Sequence, residues 1–133
     1  MKVYIPFLLL IFFSMNSKAQ PKAETVVQNN LDHYNQRDIE GFLKTISQNA
    51  VILNFNGGEA VARGKEEIRE LYSRLFANSP DLHSEILKRI VFQNKVIDHE
   101  YITGRNGNTD PVELVLIYEV QNDLIERIHV IRP

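Results

Sequence analysis

Over residues 23–36 the apolar positions Val27, Leu31 and Tyr34 recur at spacings of four and three, flanked by Val26 and Asn30. That spacing lays them along one stripe of a helix, so a first helix is expected there. Asp38 then precedes Ile39, Phe42, Leu43 and Ile46, which fall on one face of a second helix. Its carboxylate is suited to accept the unpaired amide hydrogens of the first turn, and the break at Gln36-Arg37 makes the two helices a hairpin. After Asn49 the run Ala50-Val51-Ile52-Leu53-Asn54-Phe55 reads as a strand stopped by Asn56-Gly57-Gly58, with a short return strand over 59–63. Gly64 leads into a third helix whose buried face carries Ile68, Leu71, Tyr72, Leu75 and Phe76, and Asn78-Ser79-Pro80-Asp81 ends it.

Beyond Pro80 the period becomes two. Leu82, Ser84, Ile86, Lys88, Ile90 and Phe92 alternate with His83, Glu85, Leu87, Arg89 and Val91, Gln93-Asn94 turns the chain, and residues 96–103 form the next strand. The turn formers of 104–111 lead to a last hairpin, 112–120 and 124–131, closed by Gln121-Asn122-Asp123. Helices lead and strands follow, which predicts an α+β domain with helices on one face of an antiparallel sheet.

The segment before the first helix has a different pattern. Met1-Lys2 is followed by apolar residues from Val3 to Phe13, interrupted only by Pro6, then by polar Ser14 to Lys18 and Ala19. This order predicts a secretory signal over 1–19, cut after Ser17-Lys18-Ala19, with an exported, periplasmic or secreted domain over 20–133. An apolar run of that length falls short of the about twenty helical residues that cross a bilayer, so no stable membrane anchor is expected. There is no cysteine to carry a lipid or a disulfide. Two of the 15 basic residues and none of the 17 acidic ones lie in the signal, so the remaining domain carries a formal charge of −4. That balance argues against nucleic acid as a partner.

Three segments are distinctive: Val26-Val27-Gln28, Arg37-Asp38-Ile39-Glu40-Gly41-Phe42 leading to Asn49-Ala50-Val51-Ile52, and Arg63-Gly64-Lys65-Glu66-Glu67-Ile68-Arg69-Glu70-Leu71-Tyr72. With Val96-Ile97-Asp98-His99-Glu100, Thr103-Gly104 and Ile117-Tyr118-Glu119-Val120, they resemble the nuclear transport factor 2-like superfamily, and within it the SnoaL-like group. The resemblance implies three N-terminal helices packed on a curved antiparallel sheet that encloses a conical cavity for a small apolar or mixed-polarity molecule. It implies isomerase-, cyclase- or hydrolase-type acid–base chemistry, or binding alone, because one fold carries several functions. The first half also resembles ketosteroid isomerase, whose reaction needs a carboxylate base and two oxyanion donors. The matching positions hold Asn30, Asn54 and Leu116 or Ile117, so that activity is not expected.

The remaining polar residues supply the candidate chemistry. Alternation over 96–103 puts Ile97, His99, Tyr101 and Thr103 on one face and Val96, Asp98, Glu100 and Ile102 on the other. His99 and Tyr101 are assigned to the cavity, and Asp98 and Glu100 to a solvent or homodimer surface. Glu119 lies in an apolar strand, and Arg127 and His129 alternate toward the side of Ile125 and Ile131. A carboxylate beside Arg or His serves as a general base or as half of a structural ion pair. The catalytic candidates are therefore His99, Glu119 and His129, with Asn54, Tyr72, Tyr101 and Arg127 as ligand-binding candidates. His33, His83, His99 and His129 have no metal-ligand spacing, and no metal or cofactor is implied. The alternative to a ligand-binding domain is a non-catalytic module that dimerises or docks a partner protein through its sheet face.

Overall fold

The computed structural model describes Met1 and residues 22–133, so the expected signal of 1–19 lies, Met1 apart, outside the described residues. In chain order the elements are α1 (Lys22–Asn35), α2 (Ile39–Lys44), β1 (Ile46–Asn54), β2 (Ala60–Arg63), α3 (Gly64–Ala77), β3 (His83–Phe92), β4 (Lys95–Thr103), β5 (Val112–Gln121) and β6 (Leu124–Ile131). A short turn over Arg105–Gly107 links β4 to β5. Among the described residues no helix is long and apolar enough to cross a membrane.

Local chemistry sets the boundaries. Asp38 caps α2 by accepting the Gly41 N–H at 3.1 Å, and its other oxygen lies 2.9 Å from His33 Nδ1, which ties α2 to the end of α1. Ile46 was expected on the helix but opens β1 instead. The Thr45 carbonyl accepts the Ile125 N–H at 2.8 Å, so the chain leaves α2 directly into the sheet beside β6. Asn56-Gly57-Gly58 makes the expected turn, and both glycines hold positive φ.

The six strands form one sheet in the order β2-β1-β6-β5-β4-β3. All neighbours are antiparallel except β1 and β6, which run parallel, and α3 sits between β2 and β3 in sequence. One expectation is corrected here: the sheet is mixed and not wholly antiparallel, while the helices keep the order expected along the chain, two before the first strand and the third after β2. A parallel neighbour requires a crossover, and everything from β2 to β5 serves as that crossover.

One sheet face packs against the helices and carries the core. Ile52, Val96, Ile102, Leu116, Tyr118, Ile125 and Ile128 meet Val27, Phe42, Ile68 and Phe76 there. Two bulges decide which residues join this inner face. On β3, Ile86 pairs with Glu100 and Lys88 with His99, so Leu87 is an extra residue that turns Arg89 and Val91 inward and Ile90 and Phe92 outward. On β6, Ile125 pairs with Val120 and Arg127 with Glu119, so Glu126 is extra and Arg127 and His129 face away from buried Ile125. A uniform two-residue period cannot anticipate either shift.

Asp98 is wholly buried on the inner face of β4. It is held there by a fork from Arg89, with Nε to Oδ1 at 2.7 Å and Nη2 to Oδ2 at 2.8 Å, while Nη1 donates to Gln28 on α1 at 2.8 Å. Removing one partner of a buried pair leaves the other charge unsolvated. Arg89→Ala is therefore expected to lower the unfolding free energy by about 3–5 kcal/mol. Arg69→Ala, which breaks an exposed pair with Glu40, should cost far less. Equal losses in urea unfolding would contradict this placement of Asp98.

Candidate functional site

Between the helices and the inner sheet face lies a cavity of about 260 Å³. Tyr34, Phe42, Tyr72 and Leu75 form its helix side, and Ile52, Leu114, Leu116, Ile128 and Val130 its sheet side. The aromatic wall is tightly packed: the Phe42 and Tyr72 rings lie 4.4 Å apart and the Tyr34 and Phe76 rings meet edge-on at 5.6 Å. Asn30 reaches the cavity from α1 and is fixed by donating to Thr45 Oγ1 at 2.8 Å. Val61, Arg74, Asn78, Asn106 and Arg132 line the cavity and are exposed, which marks its opening.

The one acidic side chain in this lining is Glu100, which is 4 % exposed. Ser84 Oγ donates to its Oε2 at 2.9 Å and Tyr118 Oη to its Oε1 at 3.3 Å. Among the described residues no cation pairs with it, because the Arg89 fork is taken by Asp98. Burial pushes the Glu100 carboxyl up to about 7, and the charge of Asp98 adds to the rise. The hydroxyl donors Ser84 and Tyr118 and the more distant Arg89 pull the other way.

Three phenols surround this carboxyl. Burial raises the Tyr72 phenol to about 12, with the Glu100 charge adding to it, and burial likewise holds Tyr34 and Tyr118 well above the usual phenol range. All three are thus neutral hydrogen-bond donors at physiological pH. A carboxyl that titrates near neutrality can give or take a proton at a bound molecule, and the phenols can donate to its oxygens. Among the described residues no group of histidine, aspartate and glutamate side chains has the makings of a metal site.

The catalytic candidates read from the sequence lie elsewhere. His99, Glu119 and His129 are on the outer sheet face, and three strands hold them at separate register positions. His99 Nε2 lies 2.9 Å from Glu113 Oε1, with both side chains about half exposed. Glu119 has Lys95 and Arg127 as cross-strand neighbours, and His129 stacks edge-on against Phe55 at 6.4 Å. Tyr101 shares the outer face and Arg127 is exposed there, so neither reaches the cavity. Asn54 accepts a hydrogen bond from Arg132 near the opening, and Tyr72 is on the wall. The assignment of Asp98 and Glu100 to a solvent or dimer surface is corrected, because Val96 and Ile102 on the same side of β4 are both core residues. Sequence reasoning thus missed Glu100, Ser84 and Tyr118. A signal did exist: on β5 only the face of Leu114, Leu116, Tyr118 and Val120 lacks a carboxylate, and Glu100 pairs with Leu114.

Glu100 has a folded-state pKa above its ordinary 4.5, so the protonated form favours the fold. This contribution is complete below 4.5 and is lost as pH rises through about 7. Over that window the wild type should lose about 3 kcal/mol of stability relative to Glu100→Gln. Denaturant unfolding of both proteins at a series of pH values checks this, and parallel curves would contradict it.

A sequence profile of the SnoaL-like domain matches residues 27–128. No curated protein matches the chain. Among solved structures, an uncharacterized cystatin fold protein from Novosphingobium aromaticivorans is 24% identical, with a TM-score of 0.75, covering 85% of this chain and 99% of its own. A computationally designed 17-OHP binder is 19% identical, with a TM-score of 0.72 and coverage of 84% and 90%. An LEH-like epoxide hydrolase from M. tuberculosis is 14% identical, with a TM-score of 0.69 and coverage of 84% and 83%. At these identities the structures establish a shared fold. The profile spans α1 to β6, and by it the chain belongs to the SnoaL-like domain family, within the nuclear transport factor 2-like fold.

Proposed function

We propose that this domain binds a small molecule with an apolar body in its cone-shaped cavity and that Glu100 exchanges a proton with the bound molecule. The observation that carries the reading is a carboxyl buried on the wall of an apolar cavity, held by two hydroxyls and, among the described residues, paired with no cation. A buried titratable group among apolar walls and a few convergent polar groups is the usual form of a small-molecule site. The designed 17-OHP binder and the epoxide hydrolase of the same fold support a small-molecule role without selecting a reaction. Steroid isomerisation is not the reaction we propose, because Asn30, Asn54 and Leu116 offer neither its base nor its acidic donor. Export of the domain is part of the proposal and rests on the composition of residues 1–19 alone.

The binding reading is tested with 2-naphthol, a fused apolar ring bearing one hydroxyl. The protein should quench or shift its fluorescence on titration. Leu116→Trp or Val130→Phe, which fill the cavity from different strands, should weaken binding about tenfold or more. The outer-face pair His99→Ala and Glu119→Gln should leave it unchanged. A folded cavity-filled variant that binds as tightly as the wild type would overturn the reading.

A second reading concerns the outer sheet face. Ile90, Ile97, Ile117 and His129 are register neighbours across four strands; Ile90 is 49% exposed, and Phe92, two residues further along β3, is 66% exposed. An apolar row of this kind supports a homodimer through that face, opposite the one bearing Asp98 and Glu100. Sedimentation should show a concentration-dependent dimer that Phe92→Glu disrupts, and a monomer at all concentrations would remove this reading.

A further inference from the structure

Three arginines from three separate elements line the cavity: Arg74 on α3, Arg105 in the turn after β4, and Arg132 just beyond β6. The chain as a whole has a formal charge of −2, so this concentration of cations does not follow from composition. Glu100 is the one acidic side chain in the same lining, and it is uncharged below neutrality. Among the described residues neither Arg74 nor Arg105 makes an ion pair, and Arg132 donates to the neutral amide of Asn54. All three charges are left uncompensated at the opening.

Arg105 is also held in place. Gly104 has a φ of 69°, and a Cβ there would collide with the Asp81 carbonyl. The Asn106 N–H donates to Ser79 Oγ at 2.8 Å, and Ser79 is wholly buried. The turn is thus locked onto the loop that follows α3, and the Arg105 charge reaches Tyr34 and Tyr72 inside. A guanidinium presents a planar fork of donors that matches a carboxylate.

Building on the reading of the cavity as a ligand site, we propose that its ligand is an organic carboxylate, with an apolar skeleton inside the cavity and its anionic end at Arg74, Arg105 and Arg132. Neutral and cationic molecules of the same skeleton are discriminated against at the opening, where the field of three like charges is focused by low-dielectric walls.

The test uses 2-naphthylacetate, its methyl ester and 2-naphthylmethylammonium in calorimetric titrations below neutrality. The carboxylate should bind about tenfold or more tightly than the ester, and the ammonium weakest of the three. Added salt should weaken the carboxylate and leave the ester unchanged. The carboxylate preference should vanish in Arg74→Gln/Arg105→Gln and shrink in Gly104→Ala, which unseats Arg105, while ester binding persists in both. Equal affinity for carboxylate and ester in the wild type would overturn this proposal and leave the cavity reading standing. Failure of all three probes to bind would overturn both.

Discussion

Two carboxylates on the inner face of β4 compete for one arginine, and the rest of the site depends on how that competition resolves. Asp98 takes the whole Arg89 fork and stays compensated inside the core. Glu100, two residues on and on the same face, has among the described residues only the hydroxyls of Ser84 and Tyr118. An ionised carboxylate without a cation is costly in such surroundings, so its proton is retained to near neutrality. The bulge at Leu87 causes this outcome, because it is what turns Arg89 inward opposite Asp98. Without that extra residue, alternation from Ile86 would set Lys88 opposite Asp98 and turn Arg89 to the outer face.

Around that carboxyl the fold divides its labour between the two faces of one sheet. The inner face, with the aromatic wall of α1, α2 and α3, encloses an apolar space with neutral phenols, one titratable acid and three arginines in its lining. The outer face carries the ordinary surface chemistry of paired polar side chains, such as His99 with Glu113, beside a row of isoleucines. Strand parity, reset at the two bulges, decides which side a given residue joins, and β4 places His99, the partner of Glu113, and the protonatable Glu100 on adjacent positions with opposite fates.

Much of this was legible in the sequence. Helical spacing of Val27, Leu31 and Tyr34, the Asp38 cap and the Gly57-Gly58 turn each act locally, and each appears where local chemistry puts it. Ile46 was misplaced because its fate is set by a partner far along the chain, Ile125. The alternation of β4 sorted its residues correctly into two sets, yet periodicity cannot say which set faces the helices. Polar Asp98 and Glu100 then argued for solvent, whereas Val96 and Ile102 set the answer through packing. Arg127 and His129 went astray through the extra residue Glu126, which has no signature of its own in the surrounding apolar run.

The central claim is that Glu100 is a buried acid that retains its proton until near neutrality at the cavity wall. Carbon-13 NMR of the side-chain carboxyl, assigned by comparison with Glu100→Gln, measures it directly. The account predicts one glutamate resonance titrating with a midpoint near 7, apart from all the others. A Glu100 resonance that titrates at the ordinary 4.5 would contradict it.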